Sequence, residues 1–143
     1  MKTYTVHCNC HSVELTLTGD PKVRAICHCI DCRELLDGPF YPVAVWSGEN
    51  ALITQGEEHV GIYQHPRLQM KKYFCRHCGE VLFNTNSAAL RVVPQWLIAK
   101  NHHNRLPREL TASAHIFYEQ RIVDVSDKLP KHLRGFSSPL IED

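Results

Sequence analysis

The amino-acid sequence predicts a mainly β protein built from many short strands. Three observations favour this class: apolar and polar residues alternate in short runs, turn-forming residues separate these runs, and no long segment keeps a helical period. Many short strands are typical of a sandwich or a folded pair of sheets. A chain of 143 residues is long enough to bury one core, so we expect a single domain over residues 1–143.

The predicted strands follow one another along most of the chain. The first covers residues 13–18, where apolar and polar residues alternate strictly before a Gly-Asp-Pro turn. The other predicted strands cover residues 41–46, 52–54, 60–63, 68–74, 81–83, 90–98 and 115–118. The predicted helix covers residues 31–36, while residues 101–105 are expected to form a polar loop and residues 130–139 an irregular tail.

The charge balance argues against two classes of partner. The chain has 16 Lys and Arg residues against 15 Asp and Glu, and the basic residues are dispersed, so we expect no nucleic-acid partner. The N-terminal residues lack the apolar run of a secretion signal, and no apolar run is long enough to cross a bilayer. We therefore expect no membrane association and a location in the cytoplasm, where thiols stay reduced.

All the cysteines lie in short clusters. The seven residues form the motifs Cys8-x-Cys10, Cys27-x-Cys29-x-x-Cys32 and Cys75-x-x-Cys78. Such gaps are too short for ordinary disulfides across a fold, but they let neighbouring thiolates converge on one zinc ion at about 2.3 Å each. Zinc takes four protein ligands in a structural site and three in a catalytic site. A division into four and three therefore predicts two zinc ions, one structural and one catalytic.

The structural site is expected to join the first motif to the last. Cys8 and Cys10 would point to the same side of an extended chain. Cys75 and Cys78 form a zinc knuckle, and Gly79 can adopt the positive φ that the following turn requires. The basic residues expected to offset part of the negative charge of this site are Lys71, Lys72 and Arg76.

The central motif is expected to form the catalytic site. Cys27, Cys29 and Cys32 would leave one position on the ion open, where a bound thiol or water becomes acidic. Two alternatives remain: a histidine closes the site as a fourth ligand, or two of the thiols form a disulfide in a redox role. His28 itself is expected to point away, because it lies between two cysteines that face the same side.

Other polar residues are weaker candidates for function. Asp31 could act as a general acid or base, or only complement the dipole of the short helix. Arg33 could bind a substrate carboxylate, or remain solvated. His102, His103 and His115 could transfer protons, although ordinary surface or core positions explain them as well. The aromatic residues expected in the core, with one or two lining a pocket, are Phe40, Trp46, Tyr63, Phe74, Phe83, Trp96 and Phe117.

The order of the motifs resembles that of a known family. The relevant segments are Cys8-Asn-Cys10, Cys27-His28-Cys29-Ile-Asp-Cys32-Arg33, Gly38-Pro39-Phe40 and Phe74-Cys75-Arg-His-Cys78-Gly79, with His115-Ile116 and Asp127-Lys128-Leu129-Pro130 further along. Together they resemble the glutathione-dependent formaldehyde-activating enzyme family, which includes centromere protein V-like proteins. This chain has His11 and Asp37 at two positions where the family often has glycine.

The resemblance implies an all-β, Mss4-like (β-tent) fold of short antiparallel strands stabilised by zinc. It implies a structural zinc on Cys8, Cys10, Cys75 and Cys78, and a catalytic zinc on Cys27, Cys29 and Cys32. The implied reaction is the reversible addition of a thiol, typically glutathione, to formaldehyde, which makes the protein a carbon–sulfur lyase that forms or splits S-hydroxymethylglutathione. The alternative is a non-catalytic, zinc-stabilised binding module of the centromere protein V type.

Overall fold

The computed structural model describes residues 1–86 and 89–142. The strands are β1 (Thr3–His7), β2 (Glu14–Thr18), β3 (Val23–Cys27), β4 (Tyr41–Ser47), β5 (Ala51–Gln55), β6 (Val60–Gln64), β7 (Lys71–Cys75), β8 (Val81–Thr85), β9 (Leu90–Pro94) and β10 (Ala114–Ile116). The helices are α1 (Ile30–Leu36) and α2 (Gln95–Lys100), accompanied by short 3-10 turns. Within the described residues, no helix has the length and apolar character needed to cross a bilayer.

The strands form two sheets. Strands β1, β2 and β5 make a three-stranded sheet, and the order β10-β3-β4-β9-β8-β7-β6 makes a seven-stranded sheet. Neighbouring strands in the described part of the chain are antiparallel, except that β10 lies parallel to β3. This confirms the predicted mainly β, Mss4-like fold of short antiparallel strands.

The seven-stranded sheet separates two groups of buried side chains. Because side chains alternate between the faces of a strand, β4 contributes Ala44 and Trp46 to the main core, and Val43 and Val45 to a second cluster. The main core also holds side chains from β1, β2 and α2. The second cluster includes Cys27, so one face of this sheet carries the central cysteine motif.

Most of the predicted elements are confirmed, with shifted ends. The predicted helix corresponds to α1, and the predicted strands over residues 13–18, 41–46, 52–54, 60–63 and 81–83 correspond to β2, β4, β5, β6 and β8. Residues 68–70 precede β7 instead of beginning it, and β10 ends at Ile116. Strands β1 and β3 were not predicted.

The predicted strand over residues 90–98 is wrong in its second half. The chain leaves the sheet after Pro94, and Gln95–Lys100 forms α2. The helix buries Leu97 and Ile98 against the main core. A short apolar run is compatible with a strand or with a buried helix, so the sequence pattern alone did not separate the two.

Candidate metal centres

The four-cysteine cluster joins two distant segments of the chain. Cys8 and Cys10 follow β1, Cys75 ends β7, and Cys78 lies in the turn before β8. The four Sγ atoms lie within 4.8 Å of one another, with 3.7 Å between Cys8 and Cys10 and 3.6 Å between Cys10 and Cys75. A tetrahedron with 2.3 Å metal–sulfur bonds has edges of about 3.8 Å, whereas a disulfide requires about 2.05 Å. The spacing therefore fits a tetrahedral metal site.

Two tight turns direct these sulfur atoms inwards. The His11 N–H donates to the Cys8 carbonyl at 3.0 Å, so the first pair converges through a turn and not through the extended chain that we expected. The Gly79 N–H donates to the Cys75 carbonyl at 2.8 Å. Gly79 has a φ of +79°, as predicted for the residue that follows the knuckle. Local backbone geometry thus positions both halves of the cluster.

Backbone N–H groups and burial act in opposite directions on the sulfur atoms of the four-cysteine cluster. The Val13 N–H donates to the Cys8 Sγ at 3.4 Å, and the His77 N–H donates to the Cys75 Sγ at 3.4 Å. Burial raises the pKa of Cys8 to about 11, so this thiol keeps its proton at neutral pH until a cation displaces it. The donor set fits zinc, which binds thiolates.

A lysine that we did not predict lies beside this cluster. Burial lowers the pKa of Lys100, and the sulfur atoms of Cys78 and Cys8 oppose that shift. The Lys100 ammonium also donates to the Asn9 side chain at 2.7 Å and pairs with Glu80. Of the basic residues we expected here, Lys72 donates instead to the carbonyl of Leu35 at 3.1 Å. No sequence pattern indicated Lys100, because it reaches the cluster from α2.

The three-cysteine cluster is built at the junction between β3 and α1. Cys27 ends β3, Cys29 is the N-cap of α1, and Cys32 lies in its first turn. The Cys27 Sγ lies 3.3 Å from the Cys29 Sγ and 3.8 Å from the Cys32 Sγ. The Cys32 N–H donates to the Cys29 Sγ at 3.3 Å, so the sulfur takes the place of a capping oxygen. The strand-to-helix turn thus gathers three donors within six residues.

The three sulfur atoms lie close enough to shift one another's pKa values. Hydrogen bonds from Cys27 and Cys32 lower the pKa of Cys29 to about 3. The contacts within the trio raise the pKa of Cys27 to about 12 and that of Cys32 far above its usual value. Two of the thiols therefore keep their protons at neutral pH unless a cation replaces them. This set of donors fits a dication such as zinc.

His28 points away from the cluster, as predicted. Its Nε2 lies 2.8 Å from the Nδ1 of His115, and the Nε2 of His115 lies 2.8 Å from an Oδ of Asp127. Both imidazoles have no exposed surface. Within the described residues, the possible metal-binding group contains the three cysteines and no histidine. The structure therefore does not support a histidine as fourth ligand, and it places His115 in the core.

A cavity of about 400 Å³ opens beside the three-cysteine cluster. The three cysteines and Asp31 form part of its lining. Apolar side chains from four strands and from the segment before β7 complete most of the wall; they include Val43, Val45, Val92, Ile116, Phe117 and Met70. Such a cavity can hold a small molecule against the three sulfur atoms. Of the predicted aromatic residues, Phe117 is the one that lines it.

Of the other residues predicted to have a function, one lines the cavity and the rest lie outside it. Asp31 faces the cavity. The Arg33 side chain donates to the carbonyl of Gln120 at 2.9 Å and does not line the cavity. His102 and His103 are exposed in the turn after α2. Sequence reasoning missed the apolar wall, because its members come from strands that meet only in the folded sheet.

The comparisons with known proteins give one family match. The family model described as glutathione-dependent formaldehyde-activating enzyme matches residues 3–120. No curated protein matches the chain. The solved structures that match include the crystal structure of a Rhodobacter sphaeroides protein, a structural genomics target, which is 21% identical over 65% of this chain and 85% of that chain, with a TM-score of 0.49. A similarity of that size supports no functional conclusion.

Proposed function

The chain belongs to the glutathione-dependent formaldehyde-activating enzyme family, and on that premise we propose that it is a zinc-dependent carbon–sulfur lyase acting on a thiol–aldehyde adduct. The description of the family makes glutathione and formaldehyde the first candidates, with S-hydroxymethylglutathione as their adduct. All seven cysteines are free thiols, which suits an enzyme of a reducing compartment such as the cytoplasm.

The number of sulfur donors in each cluster supports different roles. We propose a structural zinc on Cys8, Cys10, Cys75 and Cys78, because four thiolates complete a tetrahedron. We propose a catalytic zinc on Cys27, Cys29 and Cys32, because three thiolates leave one position open. The observation that carries the proposal is the 400 Å³ cavity on the three-cysteine cluster, where a substrate can reach that position.

The proposed reaction is a reversible addition to a carbonyl group. The thiol loses its proton, its sulfur forms a bond with the carbonyl carbon, and the oxygen gains the π electrons and a proton. When bound, zinc would supply the positive charge that keeps a thiol ionised at neutral pH. The cavity walls would hold thiol and carbonyl together, which favours bond formation by proximity. Asp31, the carboxylate among the described lining residues, is in place to pass a proton directly or through water.

The proposal can be tested by native mass spectrometry of the reduced protein with and without glutathione. We expect two zinc ions per chain and a bound glutathione. In the Cys29→Ser variant we expect one zinc and no bound thiol. Exchange NMR of glutathione with formaldehyde should show adduct formation faster than the uncatalysed reaction, and Cys29→Ser should remove the acceleration.

Two results together would contradict the proposed enzyme activity. The zinc-loaded protein would bind no thiol, and adduct formation would not be accelerated for any thiol and aldehyde tried. Those results would favour the non-catalytic binding module. A control variant, His102→Ala, changes an exposed side chain outside both clusters and should keep two zinc ions and the bound glutathione.

A further inference from the structure

The cavity on the three-cysteine cluster has a chemical character that the family description does not imply. We propose that it binds an apolar substituent, so that the adduct handled there carries an alkyl or aryl group in place of the charged arms of glutathione. This inference rests on the proposed function and names the substrate class of the same site.

The size of the cavity is the first argument. Its volume of about 400 Å³ falls within the range of cavities that take drug-sized ligands, roughly 300–1,000 Å³. Formaldehyde has only two non-hydrogen atoms and would occupy a small fraction of that space. The site therefore has room for a larger organic group beside the sulfur and carbonyl atoms that react.

The lining is the second argument. Its apolar wall is made by the side chains of Val43, Val45, Val92, Ile116, Phe117 and Met70, among others. Val43 and Val45 belong to the second cluster of buried residues, which continues into the cavity. An apolar group placed against this wall leaves water, and each buried methylene strengthens binding by about fourfold.

The charge of the site is the third argument. Glutathione carries two carboxylates, and a carboxylate that leaves water needs a cationic or N–H partner. None of the described lining residues is Lys or Arg, and Asp31 is the acidic residue among them. The described lining therefore offers no basic side chain to pair with the carboxylates of glutathione.

The basic side chains close to this part of the sequence are engaged elsewhere. Arg67 pairs with Glu34 on the exposed side of α1. Arg33 donates to the carbonyl of Gln120. The Lys72 ammonium donates to a backbone carbonyl on α1. None of these three side chains is among the described residues that line the cavity, so a neutral apolar substituent suits the site better than an anionic one.

The apolar group can belong to the thiol or to the aldehyde. In either case the carbon–sulfur bond of the adduct breaks to release a thiol and a carbonyl compound, and the hydroxyl proton of the adduct goes to the departing sulfur or to solvent. Two substrate series separate the sources: alkyl thiols from ethanethiol to hexanethiol with formaldehyde, and alkanals from propanal to hexanal with ethanethiol.

The test uses zinc-loaded, full-length protein and two readouts. Exchange NMR measures adduct formation in both series, and titration calorimetry measures the binding of alkanols of increasing length, which carry no thiol. We expect a three- to fourfold gain in alkanol affinity per methylene until the cavity is full, and the same trend in kcat/KM for one substrate series.

A cation placed in the wall should reverse the preference. Met70→Lys should abolish the dependence on chain length and improve the KM for glutathione. Val92→Thr, which keeps the side-chain volume, should weaken alkanol binding severalfold. Leu52→Lys is the matched control, because Leu52 is an exposed apolar residue on the other sheet and should change neither readout.

The outcomes distinguish this inference from the proposed function. Best turnover with glutathione and formaldehyde, without any dependence on alkanol length, would overturn the inference and support the function. Chain-length-dependent alkanol binding without accelerated exchange in either series would support the apolar site and overturn the function.

Discussion

The four-cysteine cluster links residues that are distant in sequence, whereas the three-cysteine cluster forms within one short loop. Cys10 and Cys75 are 65 residues apart, but Cys27 and Cys32 are only five apart. A metal bound by the first cluster closes a long loop of chain, which restrains the unfolded state and stabilises the fold. A metal bound by the second restrains a turn that β3 and α1 already define.

The same difference appears in what surrounds the sulfur atoms. In the four-cysteine cluster, Cys78 supplies the fourth corner and Lys100 lies beside the group. The three cysteines of the other cluster line the cavity, and His28 turns away from them into the core. One arrangement is suited to holding the chain together, and the other to presenting sulfur donors to a ligand.

The largest expected effect comes from removing one ligand of each cluster. Cys75 has no exposed surface, and its sulfur joins the two halves of the long-range site. A structural zinc contributes on the order of 10 kcal/mol to folding, comparable with the whole stability of a domain. Cys75→Ser should therefore be largely unfolded at 25 °C by circular dichroism, whereas Cys29→Ser should keep its β spectrum and lose at most about 2 kcal/mol of unfolding free energy.

The contrast depends on the metal proposed for each site. A chelator strong enough to strip metal from both clusters of the wild type should unfold it, and the same treatment should unfold Cys29→Ser to the same extent. If Cys75→Ser and Cys29→Ser lowered the unfolding free energy equally, the two clusters would contribute equally to the stability of the fold.

A smaller loss of stability is expected when the hydrogen bonds of the buried histidines next to the three-cysteine cluster are removed. His115 bonds to His28 on one side and Asp127 on the other, and it has no exposed surface. His115→Ala removes both bonds and leaves the buried Nε2 of His28 without its partner, so we expect the unfolding free energy to fall by about 2–4 kcal/mol in denaturant titrations. His102→Ala is the matched control, because His102 is exposed, and it should change stability by less than about 0.5 kcal/mol.

His115→Ala also tests whether the two clusters bind metal independently of each other. His28 lies between two of the three cysteines, so loosening its ring should weaken metal binding there by about 10-fold. Competition with a chelator should show one weakened ion in His115→Ala and one unchanged ion. Two equally weakened ions would mean that the effect reflects general destabilisation of the fold.

The sequence predicted the cysteines of both sites but not what surrounds them. Strand and turn geometry over a few residues indicated the local pairs and that His28 would face away, and the four ligands of a structural zinc joined the first pair to the last. The cavity wall depends on the parallel pairing of β10 with β3 and on the order of β4 and β9, which no local pattern reveals. Lys100 was missed for the same reason, since the apolar run before it was interpreted as a strand and not as α2.

The smallest expected effects concern a left-handed residue near each cluster. His11 follows the first pair of cysteines with a φ of 63°, and Asp37 caps α1 with a φ of 57°. Glycine adopts this conformation without steric cost, whereas a residue with a side chain does not. Asp37 also places a carboxylate at the C-terminal end of a helix, where the dipole disfavours negative charge.

Variants at these two positions should therefore differ. Asp37→Asn removes the charge and should add about 0.5 kcal/mol to the unfolding free energy. Asp37→Gly removes the strain as well and should add about 1 kcal/mol. His11→Gly should have almost no net effect, because it also removes the stacking of His11 on His7, whose ring centroids lie 4.9 Å apart. Denaturant titrations would measure all three, and a larger gain for His11→Gly than for Asp37→Gly would show that the turn beside the four-cysteine cluster is the more strained of the two.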